Sequence, residues 1–598
     1  MLGQSSARRD DHWQRADIRH YSSNIVFKDE AVNMDLTSSD RILVHAGKLM
    51  RSPEAGLKPS GWKELFVLLF DNYLLMTKPK GQGPDRKYHV WKRPICIELL
   101  DLTNFDRPPV QRGNSIRNLV RSGRDTPGGS PHPPEHAFDS RAAYPMTILH
   151  GGRSSGSLTL FADSVEDREE WKRKLDEAIS IRKIVQDRNR VFRLETLIPD
   201  ALCAPGSMKS LPNMITGKIT CSLPFTTSDG RNLIAFGSEE GIWIGTHHDP
   251  NSLRRVLHIP MVTQCSVLVE YSIFIILADG SLIAFDLEAL VPSLRATEPP
   301  QSMPQKLSRD KDIHFFSTGY LDGRMRLIYK RKRGAESVFR VLELVKDKVD
   351  PPPASSKPTS RTEHTTWFRV YRDFFLPSDA YDIIFLKTKV AIFCPKGFEI
   401  MNLSDYYSVT IPQQDTLHLE KLSKKCSAGK PIGMFRLRED EFFSAMMAEF
   451  GLYVNRRGDP CRLPFTIEWE GSAKHAAWHP PYVLLFNESF IEIRHVESGR
   501  LAQVIAGHDI RSLWDGRGAI NAGCGGLDYT ALEQPRVHGV MDMPEIGISA
   551  AQPTMHHDGK QTVQRVFELV PTERLLQQAS LYLPPLLSDE ADLPPYAP

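Results

Sequence analysis

Between residues 41 and 185, short apolar runs alternate with turn residues. The runs at 42–50, 62–70, 73–78, 88–91, 95–102, 144–149 and 157–162 are rich in β-branched, aromatic and leucine side chains and are separated by Gly, Pro or Asn, which predicts about seven strands. The period then changes from two to 3.6. Across residues 165–184, Trp171, Leu175, Ala178 and Ile179 recur at helical spacing behind a capping box of Ser164 and Asp167. An apolar helix stripe must cover something. The economical solution is a small antiparallel barrel, open at one end, with the helix over the opening and Trp171 inserted into the core. Residues 1–40 stand before this unit. Residues 103–141 interrupt it with an Arg-, Ser-, Gly- and Pro-rich insertion that buries little apolar area and carries Ser115, Thr126 and Ser130 as candidate phosphorylation sites.

From about residue 191 to 570 the pattern is short strands and turns with few helical periods. Turns at 238–241, 278–280, 321–323, 395–397, 449–451 and 487–489 each separate two strand-like runs, several as the Asp-Gly type that supplies positive φ. Gly241, Gly280 and Gly323 follow one another at about forty residues, and a proline-rich insertion at 346–361 lengthens the next step. A four-stranded sheet of that length cannot bury both faces alone and must stack on its neighbours. The expectation is a mainly β chain whose second part is a seven-bladed β-propeller, its two ends sharing a blade. Residues 571–598 form an acidic, proline-rich tail.

Composition narrows the chemistry. Among 598 residues, 75 Lys and Arg face 73 Asp and Glu, so the net charge of +2 offers no global field for a nucleic acid, and any anion binding must be local. The eight cysteines are scattered without a CxxC pair, which reads as reduced thiols in cytosol. No phosphate loop, HExxH or GxSxG elbow occurs, so no enzyme activity and no cofactor is expected. The glycine run 523–526 reads as a turn. No metal is expected either: in His247-His248-Asp249 and His556-His557-Asp558, neighbours in extended chain point to opposite sides, which makes both trios surface loops.

Two basic groups remain. Lys48, Arg51, Lys58 and Lys63 occupy the first two strands and their connection. Further on, alternation puts Arg324 and Arg326 on one face, and Lys330, Arg331, Lys332 and Arg333 are expected to form a projecting hairpin tip.

The seven strands with a C-terminal helix centred on Glu170-Trp171-Lys172 resemble a pleckstrin homology (PH) domain, whose hallmark would be Trp171. The blocks Asn232-Leu-Ile-Ala-Phe-Gly-Ser-Glu-Glu-Gly-Ile-Trp243, Pro431-Ile-Gly-Met-Phe-Arg-Leu-Arg438, Glu449-Phe-Gly-Leu-Tyr-Val-Asn455, Phe465-Thr-Ile-Glu-Trp-Glu-Gly471 and His479-Pro-Pro-Tyr-Val-Leu-Leu-Phe486 resemble, in that order, the citron homology (CNH) domain. PH followed by CNH is similar to the C-terminal portion of fungal Rho guanine-nucleotide exchange factors, and residues 23–37 resemble the junction that follows their Dbl homology (DH) domain; no DH domain is expected within these 598 residues. The resemblance implies a regulatory module at the cytoplasmic face of the plasma membrane and cell cortex. It implies phosphoinositide or other anionic lipid, met by Lys48, Arg51, Lys58 and Lys63, a Rho-family GTPase and a protein scaffold as partners, and roles in actin organisation and cell-wall integrity. A vesicle-tethering adaptor for a Rab-type GTPase is the alternative.

Overall fold

The computed structural model describes residues 16–28, 32–52, 62–112, 142–153, 157–202, 215–291, 303–345, 367–412, 422–517, 536–543 and 563–572, apart from short breaks within those spans. Ser115, Thr126, Ser130, Lys58, the glycine run and His556-His557-Asp558 lie outside the described residues. The chain divides into two compact units, Met1–Asn189 and Arg190–Pro598.

In the first unit, strands Leu43–Arg51, Lys63–Phe70, Tyr73–Lys80 and Lys87–Val90 form an antiparallel meander. Strands Ser157–Ala162, Ala142–His150 and Leu100–Thr103 extend it from the Leu43–Arg51 edge, joined there by the pair Phe161↔Met50. Lys63–Phe70 is covered on both faces over its second half, because residues Val67 to Phe70 are all buried, and a strand in that position reads as a continuous apolar run. The run expected at 95–102 is broken. Ile95–Cys96 pairs with Tyr73–Lys80, a 3₁₀ turn spans Ile97–Leu99, and Leu100–Thr103 pairs with Ala142–His150, so the chain changes neighbours there.

Helix α1, Val165–Arg188, begins at Ser164, whose Oγ accepts from the Asp167 N–H at 3.0 Å. It buries Trp171, Leu175 and Ala178 in the core of this unit. Gly47 makes room for the indole: a Cβ there would stand 3.1 Å from Trp171 Cζ2. Arg182 of α1 reaches Glu98 in the 3₁₀ turn at 2.6 Å, and that carboxylate is almost wholly buried. Residues 16–24 are helical and Ile25–Val26 pairs parallel to Tyr88-His89, so part of the segment before residue 40 is folded onto this unit. Asn72 Nδ2 donates to the Met34 carbonyl at 2.6 Å, and Asp71 accepts from Ile42 N and Arg41 Nη1, pinning the approach to the first long strand.

The second unit is a propeller-like ring of four-stranded antiparallel sheets, seven of them among the described residues. The first runs from Ile219 to Leu257, the second from Val262 to Lys306, the third from Ile313 to Leu376, the fourth from Asp382 to Ile411, the fifth from Pro431 to Glu468 and the sixth from His475 to Ala506. The seventh combines His508–Trp514, Val537–Met543 and Val563–Pro571 with the unit's first strand, Phe192–Leu202. Each sheet packs on the next, and His508–Trp514 packs on Ile219–Thr226 to close the circle. Glutamines lace several of these junctions: half-buried Gln264 accepts from Phe316 N, and buried Gln564 and Gln503 accept from Ile219 N and from both Val191 N and Phe192 N, respectively.

The forty-residue spacing mixes two kinds of hairpin. The turns at Gly241 and Gly280 join the second and third strands of their sheets, whereas Asp322-Gly323 joins the first and second strands of the third sheet. Asp279-Gly280 and Asp322-Gly323 both take positive φ at both positions, so their turn chemistry is the same and spacing alone does not distinguish them.

Candidate functional site

In the first unit, Lys48 and Lys63 are exposed, and the Lys48 ammonium lies 3.2 Å from Glu64. Arg51 is set differently. It is buried at 7% exposure with its guanidinium 4.8 Å over the Trp91 ring, and Lys92 and Lys78 stand 5.0 and 5.7 Å from the same ring. Strand pairing brings these cations together: Lys78 pairs with His89 two residues before Trp91, and Trp91 N donates to the Met76 carbonyl. A half-buried indole among three cations has the chemistry of a membrane-interface anchor. Sequence reasoning missed Lys78, Trp91 and Lys92, although the Trp91-Lys92-Arg93 run was a visible signal.

The expected hairpin tip is corrected. Strand Arg324–Arg333 continues as a ladder with Glu336–Leu344 as far as Arg333↔Glu336, so Lys330 lies within the sheet, opposite Phe339. It is 4% exposed, with Nζ 2.5 Å from both Asp379 Oδ1 and the Ala380 carbonyl. A buried ammonium needs such partners. Arg331 is half-buried, 3.8 Å from Asp373, and the side chains of Lys332 and Arg333 lie outside the described residues.

A different cationic surface stands on the same sheet. Arg324 and Arg326 lie on one face and both reach Glu343 Oε1, at 2.9 and 3.1 Å, while Arg369 reaches Oε2 at 3.1 Å. Burial pushes the Glu343 carboxyl up, but the three guanidiniums outweigh it and hold it below the usual carboxylate range. Three arginines around one glutamate leave an excess of two positive charges. Tyr371 covers Arg326 at 3.8 Å and Arg372 at 4.6 Å, and Arg372 also lies 5.6 Å from the Tyr406 ring of the fourth sheet. Val370, Tyr371, Tyr406 and Tyr407 are exposed. Exposed tyrosines stacked on less exposed arginines, beside the exposed Arg324 and Arg369, are the residue types that carry protein–protein contacts.

The innermost strands enclose a cavity of about 270 Å³ lined by hydroxyls, including Thr220, Ser222, Ser266 and Thr318, together with Cys221 and Cys265. Carboxylates and a histidine do reach it. Arg517 binds Asp382 at 2.6 Å and Asp515 at 2.5 Å, and His475 lies 3.1 Å from Asp515. Burial alone would raise Asp515, yet Arg517 and His475 hold it well below the usual range, so it stays ionised and is no general acid near neutral pH. These charges tie sheets together across the ring.

His247 and His248 also depart from expectation. His248 takes φ 64°, which turns its side chain to the same side as that of His247, and the two rings stack at 4.1 Å. Both face Glu568, which is 1% exposed.

A pleckstrin homology domain model matches residues 43–178 and a CNH domain model matches residues 230–516. The chain is 28% identical over 522 residues to Rho1 guanine nucleotide exchange factor 1 of Schizosaccharomyces pombe, covering 86% of this chain and 36% of that protein. It is 25% identical over 513 residues to RHO1 GDP-GTP exchange protein 1 of Saccharomyces cerevisiae, covering 83% of this chain and 41% of that one. Among solved structures, the AfRom2 CNH domain aligns with 62% of this chain and 98% of its own length, at 22% identity and a TM-score of 0.45. The chain thus spans about two fifths of the length of these curated relatives.

Proposed function

We propose that this chain, which carries a PH domain followed by a CNH domain and is homologous to fungal Rho1 exchange factors, is a regulatory and scaffolding part of Rho signalling rather than a catalyst. The observation that carries the reading is the ordered pair of domains within a similarity that covers 86% of the chain. The PH domain contacts an anionic membrane surface. Exposed Lys48 and Lys63, and the cations gathered at Trp91, support this at about 1 kcal/mol per basic residue near the surface. Reading each four-stranded sheet as a blade, the CNH domain is a seven-bladed propeller that binds a Rho-family GTPase or its scaffold. Its arginine–tyrosine surface on the third and fourth sheets suits an acidic partner. Acting at the cytoplasmic face of the cell cortex, the two domains position signalling that controls actin and the cell wall.

The test is a pull-down of the purified chain against Rho loaded with GDP or GTP, beside sedimentation with vesicles containing anionic lipid. Binding in either supports the corresponding half, and no binding in both ends the reading. Among the described residues no helix is long and apolar enough to cross a membrane, so vesicle binding would be read as surface attachment.

A further inference from the structure

The His247–His248 turn follows strand Gly241–Thr246 of the first sheet, while His538 and Glu568 belong to the seventh, so the four side chains meet where the ring closes. His247 Nε2 lies 3.6 Å from Glu568 Oε1, His248 Nε2 3.7 Å from Oε2, and His538 Nε2 3.4 Å from Oε1. These distances exceed those of good hydrogen bonds. His247 Nε2, His538 Nε2 and Glu568 Oε1 are accordingly buried without a hydrogen-bond partner, and His538 and Glu568 are 0% and 1% exposed. Orphaned buried polar atoms of this kind are costly unless something else occupies the space between them.

Donor atoms about 2.0–2.2 Å from one tetrahedral ion stand roughly 3.3–3.6 Å from each other, close to the three histidine–glutamate separations, and the ligand atoms of His247, His248 and Glu568 all lie within 4.8 Å of one another. The surroundings are those of a built site. Ser222 Oγ lies 3.0 Å from His538 Nδ1, and the tautomer with its proton on Nδ1, donated to that hydroxyl, is the one that would present an Nε2 lone pair to an ion beside Glu568. Arg536 Nη1 holds Glu568 Oε2 at 3.0 Å and leaves Oε1 turned toward the imidazoles. Neighbouring histidines in extended chain would diverge; the left-handed residue His248 instead stacks the two rings at 4.1 Å beside one carboxylate, and a swing of the exposed His248 ring out of the stack would aim both Nε2 lone pairs at one ion.

We propose that His247, His248 and Glu568 bind a divalent transition-metal ion of the zinc type, with His538 as a further nitrogen donor from the buried side. The ion would clasp the first sheet to the seventh at the closure of the ring.

The test uses the full chain, stripped with chelator and titrated with Zn²⁺ by calorimetry, with metal content after dialysis measured by mass spectrometry and Tm recorded with and without Zn²⁺. His248 is the exposed ligand, so His248→Ala leaves the fold standing. The expected result is one tightly held Zn²⁺ per chain, a Tm that rises on adding it, and at least a tenfold loss of affinity in H248A. The double variant His556→Ala/His557→Ala controls for the other histidine pair and is expected to bind as the parent does. Absence of Zn²⁺ binding, binding indifferent to H248A, or binding abolished by the 556/557 variant would overturn the proposal.

Discussion

Gln503 offers a direct test of how the ring is held shut. Its side chain is 4% exposed; Oε1 accepts from Val191 N and Phe192 N, both at 3.0 Å, and Nε2 donates to the Phe192 carbonyl at 2.8 Å. One amide of the sixth sheet therefore satisfies the backbone at the start of the strand that completes the seventh. Gln503→Leu keeps the volume and removes the partners. Two buried N–H donors lose their acceptor at about 1–3 kcal/mol each, so the closure should weaken by roughly 2–6 kcal/mol, a large part of an ordinary domain's 5–15 kcal/mol. The chain holds two units, so a single global melting curve would mix them. Amide hydrogen exchange read on peptides covering 192–202 and 563–571 isolates the effect. Since about 1.4 kcal/mol is tenfold, exchange there should accelerate at least about thirtyfold, with peptides of the first unit unchanged. Unaltered exchange in both peptides, or equal acceleration in residues 43–178, would refute the argument.

Further outcomes follow from other sites. Trp171→Ala should destabilise the first unit by about 3–5 kcal/mol, seen as a lowered urea midpoint by circular dichroism of that unit, because α1 cannot collapse into the space of an indole seated against Gly47. Lys330→Ala strands no buried charge at the exposed Asp379 and should be mild, whereas Asp379→Ala leaves a buried ammonium with one fewer partner and should lower the midpoint more; equal effects would count against the buried placement. His479 is 1% exposed with neither ring nitrogen bonded, and burial pushes it down to about 4. The unfolded chain binds its proton near 6.5 and the folded chain does not, so stability is full above that pH and falls as pH drops toward 4, by up to about 3 kcal/mol. His479→Phe should flatten that slope, and a parallel pH profile would contradict it. If the arginine–tyrosine surface carries a partner, Tyr371→Ala should weaken capture of Rho or scaffold by about tenfold or more, with the urea midpoint unmoved. Equal capture would remove that surface from the proposal.

By itself the sequence determined what depends on neighbours along the chain. Alternation and turn chemistry marked the strands, and helical spacing behind Ser164 marked α1 and the burial of Trp171, because pleat, helix pitch and capping are local geometry. Repetition of strand groups was enough to indicate a ring, since such sheets bury their faces only on each other. What lay beyond reach was decided by strands far apart in sequence. Lys330 is a strand residue because the Arg324–Arg333 ladder persists to Glu336, and its ammonium is neutralised from Asp379, 49 residues away. Arg51 and Lys78 join Lys92, the chain neighbour of Trp91, around that ring only through pairing across the first unit's sheet. His247 and His248 meet Glu568 only because the ring closes, bringing residues from its two ends together, and because one left-handed residue turns the second imidazole toward the first. Side-chain chemistry of that sort rests on distances that the order of residues does not encode until the sheets have stacked.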